Sequence, residues 1–159
     1  LTIQKKGTKH LGERIRFITV EHGSRAEILG CETTFFDIFS TKAKQFGFTL
    51  KTKEGVRLTC AGDEPYNAKD EGFIKGSDWL MHEAFCLYSQ RETFKPYEKH
   101  HSTVKDACMM AEELGVSNLI LYHTEDKNLE ERKRLYTEEG KGYYSGNLFV
   151  PEDMECFEL

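Results

Sequence analysis

Apolar and polar positions alternate through most of the first half of the chain. Residues 14–20 alternate between polar and apolar at nearly every position, which is the pattern of a half-buried β-strand. The same criterion predicts strands at residues 33–38, 46–50, 56–60 and 79–82. Lys53-Glu54-Gly55 predicts a hairpin-like turn between residues 46–50 and 56–60. The first half is therefore predicted to consist of strands joined by short connections.

In the second half, helical patterns alternate with strand patterns. Apolar residues at helical spacing predict a helix over residues 103–114, which Thr103 and Asp106 would begin as a capping box and Gly115 would end. The remaining segments are predicted as a strand at 118–122, a charged outer helix at 128–139, and closing strands at 148–150 and 154–159 around a turn at 151–153. Because no repeat or linker divides residues 1–159, this α/β chain is expected to be one domain or part of one.

Composition and charge narrow the classes of protein. Hydrophobic residues make up 38% and charged residues 31% of the 159 positions, which suits a globular domain with a sizeable core. No stretch approaches the roughly 18–20 apolar residues of a membrane span, so no membrane partner is expected. The net charge of −5 would not attract nucleic acid to the whole molecule. RNA contact would need a local basic patch, although a solvated strand face explains the available lysines equally well. These are Lys42, Lys44, Lys51 and Lys53.

The start of the chain and its cysteines bear on its origin. The first residue is Leu1, and no charged-then-apolar signal segment follows it. The chain is therefore expected to be the interior and C-terminus of a longer protein, with a processed or tagged form as the alternative.

Five widely spaced cysteines without a Cys-x-x-Cys pair favour reduced core thiols, and hence a cytoplasmic location.

Two polar residues stand where predicted strands end. Asp63 follows residues 56–60 through Gly62, and a carboxylate at such a position can bridge two cations with its two oxygens. His123 ends the strand at 118–122, where a neutral imidazole is a good ligand for zinc, iron or manganese. The alternatives are a common turn aspartate and a surface histidine. Taken together, the two residues indicate one side of a site for divalent cations.

A second pair of clusters suggests proton transfer. His82-Glu83 and His101 fit a mechanism in which a carboxylate orients a histidine that donates a proton to a leaving oxygen. Glu83 would orient and His101 would be the acid, because Ser102-Thr103 begins a helix whose positive end favours phosphate. The alternatives are a loop carboxylate in solvent and a polar helix entry.

The order of these clusters resembles a known family, the ribonuclease Z-like branch of the metallo-β-lactamase superfamily. The resemblance is to its C-terminal half and covers about residues 32–159. The matching motifs are Gly62-Asp63, His82-Glu83-Ala84-Phe85, His101-Ser102-Thr103 and Leu121-Tyr122-His123, with Gln45-Phe46-Gly47-Phe48 as the family's Phe-Gly strand and residues 146–153 as its closing hairpin.

The resemblance implies both a fold and a chemistry. The fold would be the second half of an αββα sandwich, a mixed sheet with covering helices, within a partial domain that lacks its N-terminal metal-binding half. Asp63 would bridge two metal ions and His123 would bind one of them, with zinc expected and iron or manganese as alternatives. Glu83 and His101, with His82 beside them, would form the proton relay. The implied reaction is phosphodiester hydrolysis by a metal-activated hydroxide. The 159-residue chain alone is expected to be inactive or weakly active, because it offers only two of the ligands that two metal ions need.

Several departures from the family pattern keep other functions open. The family's His-x-His-x-Asp-His loop is absent, Phe39-Ser40-Thr41 stands where another histidine ligand is expected, and Phe85 replaces a threonine. No long arm for gripping transfer RNA is recognisable. The alternatives are a non-catalytic binding or scaffold module, and a hydrolase of lactones, thioesters or sulfates. Because half a sandwich leaves strand edges and one helical layer uncovered, a homo-oligomer or pairing with the missing half is expected.

Overall fold

Residues 15–158 are described by a computed structural model, and they form one seven-stranded mixed sheet with helices packed against it. The strands are β1 (Arg25–Ile28), β2 (Cys31–Asp37), β3 (Phe46–Lys51), β4 (Arg57–Cys60), β5 (Trp79–Glu83), β6 (Asn118–Tyr122) and β7 (Asn147–Phe149). The helices are α1 (Glu71–Ile74), α2 (Arg91–Phe94), α3 (Val104–Glu113) and α4 (Arg132–Gly140). The longest of them, α3, has ten residues, so none of the described helices could cross a bilayer.

The strands lie in the sheet in the same order as in the sequence. From β1 to β4 each neighbouring pair is antiparallel, and from β4 to β7 each pair is parallel. The turn between β3 and β4 is closed by the Gly55 N–H, which donates to the Thr52 carbonyl, as the Lys53-Glu54-Gly55 pattern predicts. The predicted α/β class with a mixed sheet and covering helices is confirmed.

One face of the sheet carries the helices and the main core. Leu80, Leu119 and Leu148 lie in register across β5, β6 and β7 and belong to this core. The predicted capping box of α3 is present, because the Thr103 side chain accepts from the Asp106 N–H while the Asp106 carboxylate accepts from the Thr103 N–H. The residues that α3 buries against the sheet are Val104, Ala107, Cys108, Met110 and Ala111.

The opposite face of the sheet carries a continuous line of apolar side chains. Six residues stand in register from β2 to β7, and all but Ile120 are half-buried. We call them the apolar row: Phe35, Phe48, Cys60, Met81, Ile120 and Phe149. Trp79 packs on the same face, with its ring 5.2 Å from that of Phe149. The face is therefore apolar enough to pack against another layer of protein.

Two predicted strands at the ends of the chain are wrong. Residues 15–20 form no strand, and Phe17 and Ile18 are 79% and 71% exposed. Alternation alone does not supply a neighbouring strand, and the described residues offer none; Arg14 lies outside them. Residues 154–158 also form no strand, because the Glu155 carboxylate accepts from the Glu152 N–H and closes a turn. Leu159 lies outside the described residues.

The predicted charged helix at 128–139 begins four residues late, at Arg132. The Glu125 carboxylate accepts hydrogen bonds from the Lys127 N–H and from the Asn128 side-chain amide, both at 2.5 Å. These bonds hold residues 127–131 in a series of turns, because a short-range side-chain acceptor competes with helix hydrogen bonds.

Gly47 is required by close packing within the sheet. A Cβ atom at this position would lie 2.6 Å from the Cys60 carbonyl oxygen and 2.6 Å from the Phe36 ring. We therefore expect Gly47→Ala to destabilise the protein by about 1–3 kcal/mol, as overpacking does. Gly72→Ala in α1 is the matched control, because a Cβ there meets nothing within 4 Å. Urea unfolding followed by circular dichroism measures both, and an equal effect of the two substitutions would contradict the expectation.

Asp70 is buried, and its Oδ1 has no hydrogen-bond partner. Burial raises the pKa of this carboxyl to about 6, with Asp37 acting in the same direction and His22 and Lys69 opposing it. The folded protein therefore binds more protons than the unfolded chain between about pH 4 and pH 6, and stability is lost as the pH rises through that window.

We expect Asp70→Asn to remove this loss, so that the variant gains roughly 1–3 kcal/mol relative to the wild type as the pH is raised from 4 to 7. Urea unfolding at a series of pH values measures the difference. The exposed Glu54→Gln variant controls for the removal of one carboxylate. A difference between Asp70→Asn and the wild type that does not change with pH would contradict the expectation.

Candidate functional site

The carboxyl ends of the parallel strands β4, β5 and β6 meet at one edge of the sheet. Asp63 lies in the turn after β4, Glu83 is the last residue of β5, and His123 follows β6. His101 reaches the same edge from the loop before α3. Ligand sites of open α/β sheets are built at this edge, because the loops that leave neighbouring parallel strands converge there.

The Asp63 turn is held from two directions. Gly62 has a φ of +76°, a left-handed conformation that favours glycine. The Tyr122 hydroxyl donates to the Gly62 carbonyl at 2.5 Å, and the Ser40 hydroxyl donates to Glu64 Oε1 at 2.6 Å. Asp63 itself is half-buried. Its carboxylate is therefore carried by a turn that one hydrogen bond holds at the backbone of Gly62 and another at the side chain of Glu64.

His123 is exposed and close to His101. The two ring centroids are 5.0 Å apart, with an angle of 42° between the planes. The backbone of His123 has a φ of +54°, which is uncommon for a residue other than glycine. This turn of the backbone directs the chain away from β6 at the point where the histidine stands.

Glu83 and His101 form a buried pair. Glu83 is completely buried and His101 is 7% exposed. Glu83 Oε1 accepts a hydrogen bond from the Ser102 N–H, and Glu83 Oε2 lies 3.4 Å from His101 Nδ1. Among residues 15–158, neither of the latter two atoms has another partner. One proton held between them would satisfy both, because a carboxyl O–H or an imidazole N–H can donate across this contact.

Burial makes the neutral form of this pair the stable one near pH 7. Burial, with a smaller contribution from Asp63, raises the pKa of Glu83 to about 8, although the Ser102 N–H opposes the shift. Burial also lowers the pKa of His101, and the nearby Lys42 adds to this effect. Both directions favour a protonated carboxyl beside a neutral imidazole over a buried ion pair.

Phe85 covers one side of the pair. Its ring lies 5.1 Å from the His101 ring at an angle of 23°, and the Lys99 ammonium lies 4.9 Å from its centroid. The Phe85 N–H donates to the Ser102 carbonyl, so the residue also joins the end of β5 to the loop that carries His101. An aromatic ring here reduces the access of water to the imidazole.

His82 lines one cavity with His101, but its side chain takes no part in the contact between Glu83 and His101. Its Nδ1 lies 2.7 Å from the Glu83 carbonyl and therefore donates to it. The ring is buried and lines a cavity of about 420 Å³ with Tyr97 and Asp106. Burial lowers the pKa of His82, and its Nε2 has no partner. Adjacent residues on a strand point to opposite faces, which separates this ring from the Glu83 carboxylate.

The described residues can supply only some of the ligands that a metal ion needs. Asp63 and His123 supply the oxygen and nitrogen donors that zinc, iron and manganese accept. Within residues 15–158, however, no three His, Cys, Asp or Glu side chains come together as a metal ion requires. At Phe39-Ser40-Thr41, where the family pattern has a histidine, the Ser40 hydroxyl is bonded to Glu64.

Sequence reasoning missed the residues that hold the site together. Tyr122 and Glu64 adjoin two predicted ligands, but their hydrogen bonds join segments far apart in the sequence. The available signals were a glutamate directly after Gly62-Asp63 and a tyrosine at the end of a predicted strand. Each of these polar groups needs a hydrogen-bond partner if the fold buries it.

Comparison with known proteins finds relatives named ribonuclease Z. The chain is 31% identical over 112 residues to the ribonuclease Z of Shouchella clausii. The matched residues make up 70% of this chain and 35% of the relative. It is 29% identical over 111 residues to that of Thermococcus sibiricus, covering 70% and 34%, and 22% identical over 148 residues to that of Staphylococcus epidermidis, covering 92% and 47%. The chain thus spans a third to a half of the length of these relatives. No protein-family model matches it.

Solved structures similar to the chain share its fold. They include the metallo-β-lactamase fold protein YhfI from Bacillus subtilis, with a TM-score of 0.70 at 18% identity over 85% of this chain and 52% of that one. Human tRNase Z, short form, has a TM-score of 0.59 at 22% identity over 79% and 42%. Zn(2+)-bound PqqB from Methylobacterium extorquens has a TM-score of 0.70 at 12% identity over 89% and 55%. The resemblance is confirmed: this chain has the metallo-β-lactamase fold and is related to the ribonuclease Z family over 70% of its length.

Proposed function

We propose that this chain forms part of the active site of a metal-dependent hydrolase that cleaves phosphodiesters. The observation that carries the proposal is the buried Glu83–His101 pair, which lies at the same sheet edge as Asp63 and His123. The relatives named ribonuclease Z support a phosphodiester substrate, with RNA as the first candidate.

The pair can deliver a proton without creating a buried imidazolium. In its neutral form Glu83 carries a proton that faces His101 Nδ1, and the imidazole carries one on Nε2. When Nε2 gives its proton to the leaving oxygen, Nδ1 takes the proton of Glu83. The products are a carboxylate, stabilised by the Ser102 N–H, and a neutral imidazole. His101 is thus the proposed acid and Glu83 the group that orients and reprotonates it.

Asp63 and His123 are the proposed ligands of a divalent cation, zinc in the first instance and iron or manganese otherwise. A cation bound there would lower the pKa of water and offset negative charge on the phosphate. A two-metal site needs more ligands than these two residues, and we propose that the remainder come from a part of the protein outside residues 15–158 or from a second copy. His82 is proposed to act only by holding the end of β5.

The apolar row supports this view of an incomplete domain. A sheet face with six apolar residues in register is stable when a second layer covers it, as in a sandwich of two sheets. We therefore propose that a second β-layer packs on the row. The five cysteines of the chain are all free thiols, which supports the proposed cytoplasmic location.

A binding or scaffold module is the second candidate, favoured by the absence of a three-ligand cluster within the described residues. Metal content separates it from the hydrolase. If a second copy completes the ligand set, we expect the purified 159-residue protein to contain one to two equivalents of zinc, iron or manganese by elemental mass spectrometry, and Asp63→Asn or His123→Asn to lose them. No bound metal would mean an incomplete half-site, whose function must be sought in a longer protein.

In the metal-loaded protein, we expect Glu83→Gln and His101→Asn each to reduce hydrolysis of bis(p-nitrophenyl) phosphate by roughly 10²–10⁴-fold, because proton transfer to the leaving oxygen is lost. Bound metal should stay at the wild-type level in both. The exposed neighbour His100 gives the matched control, and His100→Asn should retain activity. A metal-loaded wild type without hydrolysis would contradict the proposal, as would full activity in His101→Asn.

The apolar row gives a separate prediction about assembly. We expect the 159-residue protein to self-associate at micromolar concentration, and Met81→Lys to make it monomeric by placing a charge in the middle of the row. Met109→Lys is the matched control, because Met109 is 51% exposed on α3, on the other side of the sheet. Light scattering coupled to size exclusion measures the mass, and a folded wild-type monomer would contradict the prediction.

A further inference from the structure

One hydrogen bond connects the two loops that carry the proposed metal ligands. β4 and β6 are not neighbours, because β5 lies between them. The Tyr122 hydroxyl, at the end of β6, nevertheless donates to the Gly62 carbonyl in the turn after β4 at 2.5 Å. Tyr122 precedes His123, and Gly62 precedes Asp63. The bond therefore joins two positions that each adjoin a proposed ligand, across the width of one strand.

We propose that Tyr122 is a positioning residue that fixes the Asp63 carboxylate relative to the His123 imidazole. The inference rests on the proposed function in so far as it concerns metal ligands. The physical claim about the Asp63 turn, however, holds or fails independently of any metal, because it concerns the order of the turn.

The turn needs an external restraint because its first residue is glycine. Glycine has the widest choice of backbone conformations, so a turn that begins at Gly62 is not held in one state by its own sterics. The φ of +76° at Gly62 is a conformation that L side chains rarely adopt, so the position also disfavours a stiffer residue. The Ala61 N–H donates to the Met81 carbonyl and so holds the residue before the turn. Further restraint on the turn itself has to come from neighbouring side chains.

Two side chains supply it, and they act on opposite ends of the turn. Ser40 is bonded to the Glu64 side chain, so it acts on the Glu64 backbone only through the rotatable bonds of that side chain. Tyr122 is bonded directly to the Gly62 backbone carbonyl, and its rigid ring brings the hydroxyl there with only two rotatable bonds. The tyrosine is thus the stronger restraint on where the following residue, Asp63, is placed.

The simpler alternative is that the bond only satisfies two polar groups and adds to global stability. Tyr144 offers a control for that role. Its hydroxyl donates to the Val116 carbonyl at 2.9 Å, near the opposite end of β6 and away from the site. Tyr122→Phe and Tyr144→Phe each remove one hydroxyl that bonds a backbone carbonyl, and neither changes the ring.

The test compares the two variants by NMR in the absence of metal. We expect Tyr122→Phe to lower the backbone order parameters of Gly62 and Asp63 and to speed amide exchange at Ala61 by roughly fivefold, the effect of losing one net hydrogen bond. Tyr144→Phe should leave these three residues at wild-type values. Unchanged order at Gly62 and Asp63 in Tyr122→Phe, or equal changes in both variants, would overturn the proposal.

A cobalt(II) titration of the same proteins then separates this proposal from the proposed function. If the wild type binds cobalt(II), we expect roughly fivefold weaker binding in Tyr122→Phe and none of that loss in Tyr144→Phe; equal affinities would overturn the positioning role. If the wild type binds no cobalt(II), the 159-residue protein does not complete a metal site by itself, and the NMR comparison alone decides whether Tyr122 orders the turn. Should Tyr122→Phe not fold, a wild-type Tyr122 hydroxyl proton that exchanges as fast as an exposed one would overturn the proposal.

Discussion

The site depends on the hydrogen bond from the Ser102 N–H to the Glu83 carboxylate. This bond occurs within a run of parallel pairing, in which the Phe85 N–H donates to Ser102 and the Val104 N–H donates to the Cys86 carbonyl. The segment after β5 is thereby laid alongside the segment that begins α3. A fully buried carboxyl would otherwise be costly, and the backbone donor offsets part of that cost while placing Oε2 beside the His101 ring.

Local sequence rules predicted the elements whose causes are local. The helix α3 follows from the capping box of Thr103 and Asp106 and from Gly115, which takes the left-handed φ of +65° that ends a helix. The convergence of Asp63 and His123 follows from strand ends that parallel pairing brings to one edge. These features do not depend on residues far away in the sequence, so they could be predicted from the sequence.

Features that depend on distant partners were not predictable in the same way. Residues 15–20 alternate as a strand does, but a strand also needs a neighbour, and alternation carries no information about one. The late start of α4 depends on the Glu125 side chain, which lies outside the helical pattern. The Tyr122 bond depends on the distance across β5, which is fixed only when three strands are assembled.

The separation of the His82 and Glu83 side chains could have been predicted, because adjacent residues of a strand point to opposite faces of the sheet.

The order of the strands has a consequence for how the chain acquires its structure. Because each strand pairs with the one before it in the sequence, no described strand has to enter between two that are already paired. The sheet can grow from one edge in the direction of synthesis, with β1 to β4 forming hairpins before the crossovers add β5, β6 and β7. Loop closure is short for the hairpins of β1 to β4, whereas the parallel pairs from β4 to β7 close long crossovers and are expected to form more slowly. The edge that carries the candidate site is then completed only when β6 has joined. The proposed metal ligands Asp63 and His123 would therefore come together late in folding, after the hairpin strands have paired.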